Sequence, residues 1–176
     1  MGRGILGMAA LVVALSLAPA AQADSFSIQR TADLRFGRFA VFASGWRSVG
    51  ASGAVSGSGI MAVAGSSTGP AQFTLRYDRG STSTRPITVA AQVMLIAPGQ
   101  LIKDGVVARL SAFESDLPGG SLLVSGMPVN VTIANCTTRV CTANFAIGAR
   151  IDVDRQAGGA DLTIPLPVTA ILLAVL

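Results

Sequence analysis

Apolar and polar residues alternate with a period of two along much of this chain. The clearest case is segment 24–42, DSFSIQRTADLRFGRFAVF, in which apolar side chains occupy even positions from Phe26 to Phe36 and only Arg30 breaks the row. Such alternation is typical of extended chain with one buried face. The segment is longer than the usual strand of about five or six residues, so it is expected to contain more than one element.

Arg30 is the natural place to divide the segment, because burying an unpaired guanidinium would cost several kcal/mol. We therefore predict a short extended arm with Phe26 and Ile28, followed by a first strand over 32–36 that bends at Gly37. A glycine bulge there would explain why the apolar parity changes after this position. The arm either pairs within its own domain or lies in a groove of a neighbouring copy, and its shortness favours the first arrangement.

The middle of the chain repeats strand and turn signals. Alternating or apolar runs predict strands in 71–77, 86–96 and 129–133, and Asp104-Gly105 is a strong hairpin signal. No segment has the pattern of a helix of usable length. Turn signals spaced by about 8 to 12 residues favour an antiparallel β-sandwich.

The C-terminal segment predicts a last hairpin that turns at Gly158-Gly159, followed by apolar residues at every even position to Leu176. That face is expected to be buried. Pro165 and Pro167 have no N–H donor, and because they share one parity, both missing donors would face the same neighbouring strand. This part of the chain should therefore lie at a sheet edge or be bulged. An open apolar edge is a template for another chain, although a loop could equally cover it. The predicted strand-addition or assembly face comprises Phe26, Ile28, Leu162, Ile164, Leu166 and Val168.

The N-terminus has the layout of a secretory signal peptide. Arg3 precedes an apolar run from Ile5 to Leu17, and Ala21-Gln22-Ala23 supplies a cleavage site. The run is short against the roughly 20 residues that span a membrane. We predict a signal peptide over 1–23, a single β-sandwich domain over 24–176, and export to the periplasm, cell surface or medium without an integral membrane segment in the mature chain.

Cys136 and Cys141 are the only cysteines, and strand-like sequence flanks both. In an oxidising compartment they are expected to form a disulfide across a short loop. A redox or metal pair is the rival interpretation, but no third ligand type lies nearby in the sequence.

Composition argues against several other functions. The chain has 13 Lys and Arg, 9 Asp and Glu and no histidine, and its arginines are scattered, so nucleic acid is a poor partner hypothesis. GSSTG at 65–69 fits a hydrolase pattern without a following helix or a histidine base. Asp152, Asp154 and Asp161 match no calcium loop and are expected to be solvated carboxylates. We predict no enzyme, cofactor or metal site.

Three stretches resemble a known family: TADLRFGRF at 31–39, GPAQFTLRY at 69–77 and GARIDVDRQAGGADLTIPLPVTAIL at 148–172. They resemble the secreted bacterial domain-of-unknown-function family 4402, which is similar to fimbrial subunits of the chaperone-usher kind. The resemblance implies an immunoglobulin-like, pilin-like sandwich and export. It also implies partners, namely copies of itself or related subunits and a periplasmic chaperone and usher. Spore-coat-U-like secreted proteins are a neighbouring alternative.

The leading hypothesis is therefore a non-catalytic structural or surface-assembly protein. The alternative is a carbohydrate- or surface-binding adhesin module. Sugar sites usually offer exposed aromatic rings, and Trp46 and Tyr77 are the only candidates of the larger polar kind. Both are expected in core or loop packing, which weighs against the adhesin.

Overall fold

A computed structural model describes residues 24–118, 120–154 and 158–176. These ranges contain β-strands joined by turns and loops, and no helix. The predicted signal peptide lies outside them, and no helix in them is long and apolar enough to span a membrane. The strands are β1 (Ser25–Ala32), β2 (Leu34–Val49), β3 (Val55–Ala62), β4 (Ala71–Asp78), β5 (Ile87–Leu95), β6 (Gln100–Lys103), β7 (Val106–Ser115), β8 (Leu122–Leu123), β9 (Pro128–Cys136), β10 (Val140–Val153), β11 (Gly158–Ile164) and β12 (Val168–Val175).

The strands form two antiparallel sheets. The small sheet has the order β12–β5–β9. The large sheet follows the path β1–β4–β10–β2–β11, with β3 on β2, β7 on β10, and β6 and β8 on β7. Apolar side chains from both sheets form one core cluster, which includes Phe36, Phe39, Leu75, Val89, Val93 and Ile147. The prediction of an all-β antiparallel sandwich is confirmed.

The two longest strands hold the large sheet together, because each changes neighbours along its length. β10 pairs with β4 over Val140–Ile147 and with β2 over Ala149–Val153. Gly148 lies at the junction, where a Cβ atom would collide with the carbonyl oxygen of Val49. Glycine is therefore required by the close approach of the two backbones.

The N-terminal segment contains two strands, as predicted, but the predicted boundary at Arg30 is wrong. β1 runs through Arg30 to Ala32, and β2 begins at Leu34. The register with β4 shifts between Arg30 and Ala32, and the exposed guanidinium of Arg30 forms an ion pair with Asp33 at 2.9 Å. The irregularity lets Arg30 reach solvent without ending the strand.

Two local turn predictions are correct. Gly37 adopts a φ of 73°, and the register with β11 shifts there, so the inward side chains change from Leu34 and Phe36 to Phe39 and Val41. The hairpin at Asp104-Gly105 joins β6 to β7. Its two residues have φ values of 53° and 80°, which suit the primed two-residue turns of tight hairpins.

The predicted last hairpin is wrong. β10 and β11 both pair with β2 in the same direction, one after the other, and not with each other. Gly158 and Gly159 belong to β11, where a Cβ on Gly159 would lie 2.6 Å from the carbonyl oxygen of Phe39. These glycines permit close strand approach, which the sequence pattern does not distinguish from a turn.

Candidate assembly surface

The structure divides the predicted C-terminal face between the two sheets. Leu162 and Ile164 lie on β11, beside β2, and Leu166 lies in the connection to β12; all three are buried in the core. Val168 begins β12, opposite Leu95 of β5, and is half-buried. The first three side chains are therefore already packed within this chain.

The last fully buried even position is Leu166, just before β12. Leu166 is 1 % exposed, whereas Leu172 is 37 % and Leu176 is 78 % exposed, so the expectation that the whole row is buried is wrong. β12 has β5 on one side only, and its register shifts between Leu172 and Ala174. Both features bring side chains of both parities to the surface.

The exposed part of β12 is the surface that the alternation pattern did not reveal. Five large apolar side chains are exposed along its length and end: Ile171, Leu172, Leu173, Val175 and Leu176. A signal was present in the sequence, because apolar residues fill both parities from Ala170 to Leu176. A continuous apolar run is typical of a strand that is covered on both faces.

The small sheet carries no charge in its strands. β5, β9 and β12 contain no Asp, Glu, Lys or Arg. The outer face of this sheet holds a shallow groove of about 170 Å³, lined by Gln92, Met94, Pro128, Thr169 and Ile171. Within it the Gln92 amide nitrogen donates to the Asn130 side-chain oxygen at 3.0 Å. The remaining lining is mainly apolar.

One edge of β12 is unpaired within the described part of the chain. β12 bonds to β5 along its length, and the pairing extends to Leu176, whose N–H donates to the Thr88 carbonyl at 2.9 Å. Such an edge presents a row of backbone donors and acceptors. β12 also lacks the lysines, prolines and inward charges by which edge strands usually resist pairing.

The N-terminal arm lies near β12. β1 pairs with β4 in the large sheet, packs across the sandwich against β12, and places Phe26 and Ile28 half-buried against the core. The Tyr77 hydroxyl, buried in the core, donates to Asp24 Oδ2 at 3.1 Å. Burial and the neighbouring Asp24 carboxylate raise the pKa of Tyr77. The arm and β12 thus line the same side of the sandwich, whereas Leu162, Ile164 and Leu166 do not belong to the exposed surface.

Cys136 and Cys141 form the predicted disulfide, with Cα atoms 5.8 Å apart. Cys136 ends β9 of the small sheet, and Cys141 lies near the start of β10 of the large sheet. Arg79 Nη2 donates to the Cys136 carbonyl oxygen at 2.9 Å and holds the same corner. The bond therefore ties the two sheets together covalently.

The sequence motifs set aside as chance matches have ordinary structural contexts. Ser66, within 65–69, donates to the Val63 carbonyl oxygen at 3.0 Å in the connection between β3 and β4. Asp152 accepts from Arg150 and lies opposite Trp46, whereas Asp161 lies opposite Arg38, much further along β2. No group of three or more His, Cys, Asp or Glu side chains that could hold a metal occurs among the described residues.

Comparison with known families agrees with the resemblance noted from the sequence. A family model described as "Domain of unknown function (DUF4402)" matches residues 26–171, which cover most of the chain. The chain belongs to this family. The match runs from Phe26 of the arm to Ile171 of β12, so it includes most of β1 and the first half of β12. Searches of curated proteins and of solved structures gave no match.

Proposed function

We propose that this DUF4402 protein is an exported, non-catalytic structural subunit of a surface assembly, similar to a fimbrial subunit. In this proposal it joins copies of itself or related subunits by adding a strand to the free edge of β12. The observation that carries the proposal is an uncharged small sheet whose apolar edge strand, β12, pairs on one side only among the described residues.

The argument rests on the chemistry of that edge. A strand added beside β12 would satisfy its free backbone groups and would cover the exposed side chains of Ile171, Leu172 and Leu173. Because the small sheet has no charged residue in its strands, an uncharged strand could dock without desolvating or opposing a charge. A partner of the same chain could supply the uncharged residues 25–29 of its arm, which include Phe26 and Ile28.

The proposal includes a route of export and a pathway of assembly. The predicted signal peptide would deliver the chain to an oxidising compartment, which suits the disulfide of Cys136 and Cys141. A chaperone that caps β12 before assembly would prevent premature association, and an usher would then exchange the chaperone for the next subunit. Neighbouring chaperone and usher genes would support this part of the proposal.

The edge can be tested with a single charge. Ile171→Lys places an ammonium on β12, and Ile102→Lys is the matched control, because Ile102 is an exposed isoleucine on β6 of the large sheet. We expect the wild type and the control to self-associate in sedimentation velocity, and Ile171→Lys to weaken association about tenfold or more, with an unchanged melting temperature. A wild type that stays monomeric at its highest soluble concentration would contradict the proposal, as would equal effects of the two lysines.

The role of the arm is separable from that of β12. Replacing Phe26 and Ile28 by Asp should abolish multimers and leave the monomer melting curve intact if the arm is exchanged between chains. A lowered melting temperature in protein that is monomeric throughout would place the arm in its own domain, where β1 pairs with β4 in this structure. The second outcome would remove arm exchange as the mode of assembly.

A further inference from the structure

The only tryptophan of the chain lies outside the core. Trp46 is half-buried on the outer face of β2, contrary to the expectation of core or loop packing, whereas Tyr77 is buried as expected. The Arg150 guanidinium carbon lies over the indole, 4.6 Å from the ring centroid. Arg150 Nη2 in turn lies 2.6 Å from Asp152 Oδ1, and the Ser111 hydroxyl donates to Asp152 Oδ2 at 2.5 Å. The ring therefore lies within a fixed polar network on the sheet surface.

A cleft of about 170 Å³ opens beside this ring. Its polar lining comprises Trp46, Ser48, Ser56, Glu114 and Arg150, contributed by β2, β3, β7 and β10. The hydroxyls of Ser48 and Ser56 lie 2.7 Å apart. The cleft is smaller than the roughly 300–1,000 Å³ of pockets that enclose whole small molecules, so it would hold one ring of a larger ligand.

Backbone irregularities shape the cleft. β7 is bulged opposite β10, and Ala112 in the bulge has a φ of 45°, a conformation that residues other than glycine rarely adopt. Bulges and strained residues are over-represented beside functional sites. Gly50 clears space on the opposite wall, since a Cβ there would lie 3.2 Å from Glu114 Oε2.

Glu114, the only glutamate, is the chemically distinctive group of the cleft. Its side chain is exposed and makes no hydrogen bond or ion pair with any other described residue. The Arg150 cation, by contrast, is already paired with Asp152. The cleft therefore offers an uncommitted carboxylate acceptor, two hydroxyls and an aromatic ring.

We propose that this cleft binds a sugar ring of a neutral glycan. Sugar hydroxyls would donate to Glu114 and exchange hydrogen bonds with Ser48 and Ser56, while the apolar face of the ring would contact Trp46. An anionic ligand would face the uncommitted carboxylate of Glu114, whereas the Arg150 cation is already paired with Asp152. Phe42 is exposed on β2, four residues before Trp46, and would contact the next part of the glycan. This ligand site is independent of the assembly proposed above.

Trp46 provides its own reporter, because the full chain contains no other tryptophan. Tryptophan fluorescence should change saturably on titration with at least one of four neutral tetrasaccharides: cellotetraose, chitotetraose, maltotetraose or mannotetraose. Sialyllactose serves as the anionic comparison and should bind more weakly. Absence of a saturable change with all four neutral sugars would overturn the proposal, and tighter binding of sialyllactose would overturn its neutral class.

Substitutions then test whether the sugar binds in this cleft. Glu114→Gln removes the carboxylate from an exposed position and should weaken sugar binding about tenfold or more, because hydrogen bonds to charged groups are the strong ones. Asp161→Asn is the matched control, an exposed carboxylate opposite Arg38 on the same sheet, and should leave affinity unchanged. Equal effects of the two substitutions would overturn the assignment. Gly50→Ala should also weaken binding, because its methyl group would press against Glu114.

Discussion

The large sheet carries every charged side chain found in the described strands, whereas the small sheet carries none. The charged residues of the large sheet include Arg30, Arg38, Asp78, Lys103, Arg109, Glu114, Arg150, Asp152 and Asp161. Charges on an outer face keep water bound and oppose the approach of other sheets. The small sheet lacks that protection on its outer face and at β12. The two sheets therefore differ in how strongly their outer faces attract water.

The two sheets also differ in glycine: the strands of the small sheet contain none, whereas glycines of the large sheet permit close backbone contacts. In the large sheet, a Cβ on Gly148 would collide with the carbonyl oxygen of Val49. We expect Gly148→Ala to destabilise the protein by more than about 3 kcal/mol, or to prevent folding, because a methyl group would be forced against backbone. Urea unfolding measures the change. Gly99→Ala is the control, since its Cβ would meet nothing within 4 Å, and equal losses would refute the packing argument.

Experiment can distinguish the buried from the exposed members of the apolar row at even positions from Leu162 to Leu176. Leu166→Ala should cost about 2–3 kcal/mol, because Leu166 is fully enclosed, whereas Leu172→Ala on the exposed edge should cost less than about 1 kcal/mol. Chemical denaturation of dilute, monomeric protein gives both values. Equal costs would mean that Leu172 is buried in solution and that β12 is covered.

The disulfide joins the two contrasting sheets, so its removal tests their coupling. Replacing Cys136 and Cys141 together by Ala should lower the free energy of unfolding by about 2 kcal/mol, the value expected for closing so short a loop. Thermal and urea unfolding measure it.

Exported protein should show no alkylatable thiol under denaturing, non-reducing conditions. Recovery of two free thiols would contradict the prediction.

Strong acid should destabilise the large sheet through Asp78. The N–H of Gly80 and the side chain of Arg139 hold the pKa of Asp78 below its ordinary value. A lowered folded-state pKa means that the ionised carboxylate stabilises the fold above the ordinary pKa, and that this contribution disappears as pH falls through the lower folded value. Asp78→Asn should therefore reduce the stability difference between neutral and strongly acidic pH.

The Asp78 titration can be followed directly by NMR. Arg139→Gln should move it upward, toward the ordinary pKa of an aspartate, because one of the interactions that lower it is lost. An unchanged titration in this variant would show that Arg139 has no influence on the carboxylate.

Local features of the fold were predictable because their causes are local. The parity change at Gly37 and the hairpin at Asp104-Gly105 depend on backbone conformations that glycine and aspartate favour within a few residues. The disulfide follows from two nearby cysteines between strands. Whether Gly158-Gly159 forms a turn could not be predicted in this way, because glycine is favoured both in turns and where two strands approach closely.

The candidate sites were less predictable, because the residues that form them are distant in sequence. Trp46 has the sequence context of a packed residue, and its outward position depends on β10 lying beside β2. Glu114 reaches the same cleft through the bulge in β7, and Ser56 reaches it through β3. Pairing between segments so distant in sequence leaves no local pattern to recognise.

The sequence by itself determined that this is a chain of alternating strands in an antiparallel sandwich, with a disulfide between its only cysteines. Alternation decides which side chains share a face, because successive residues of a strand point to opposite sides. Only the tertiary structure decided which faces are covered. Leu166 and Leu172 share one parity, yet the first is enclosed in the core and the second lies on an open edge, because burial depends on which distant strands become neighbours.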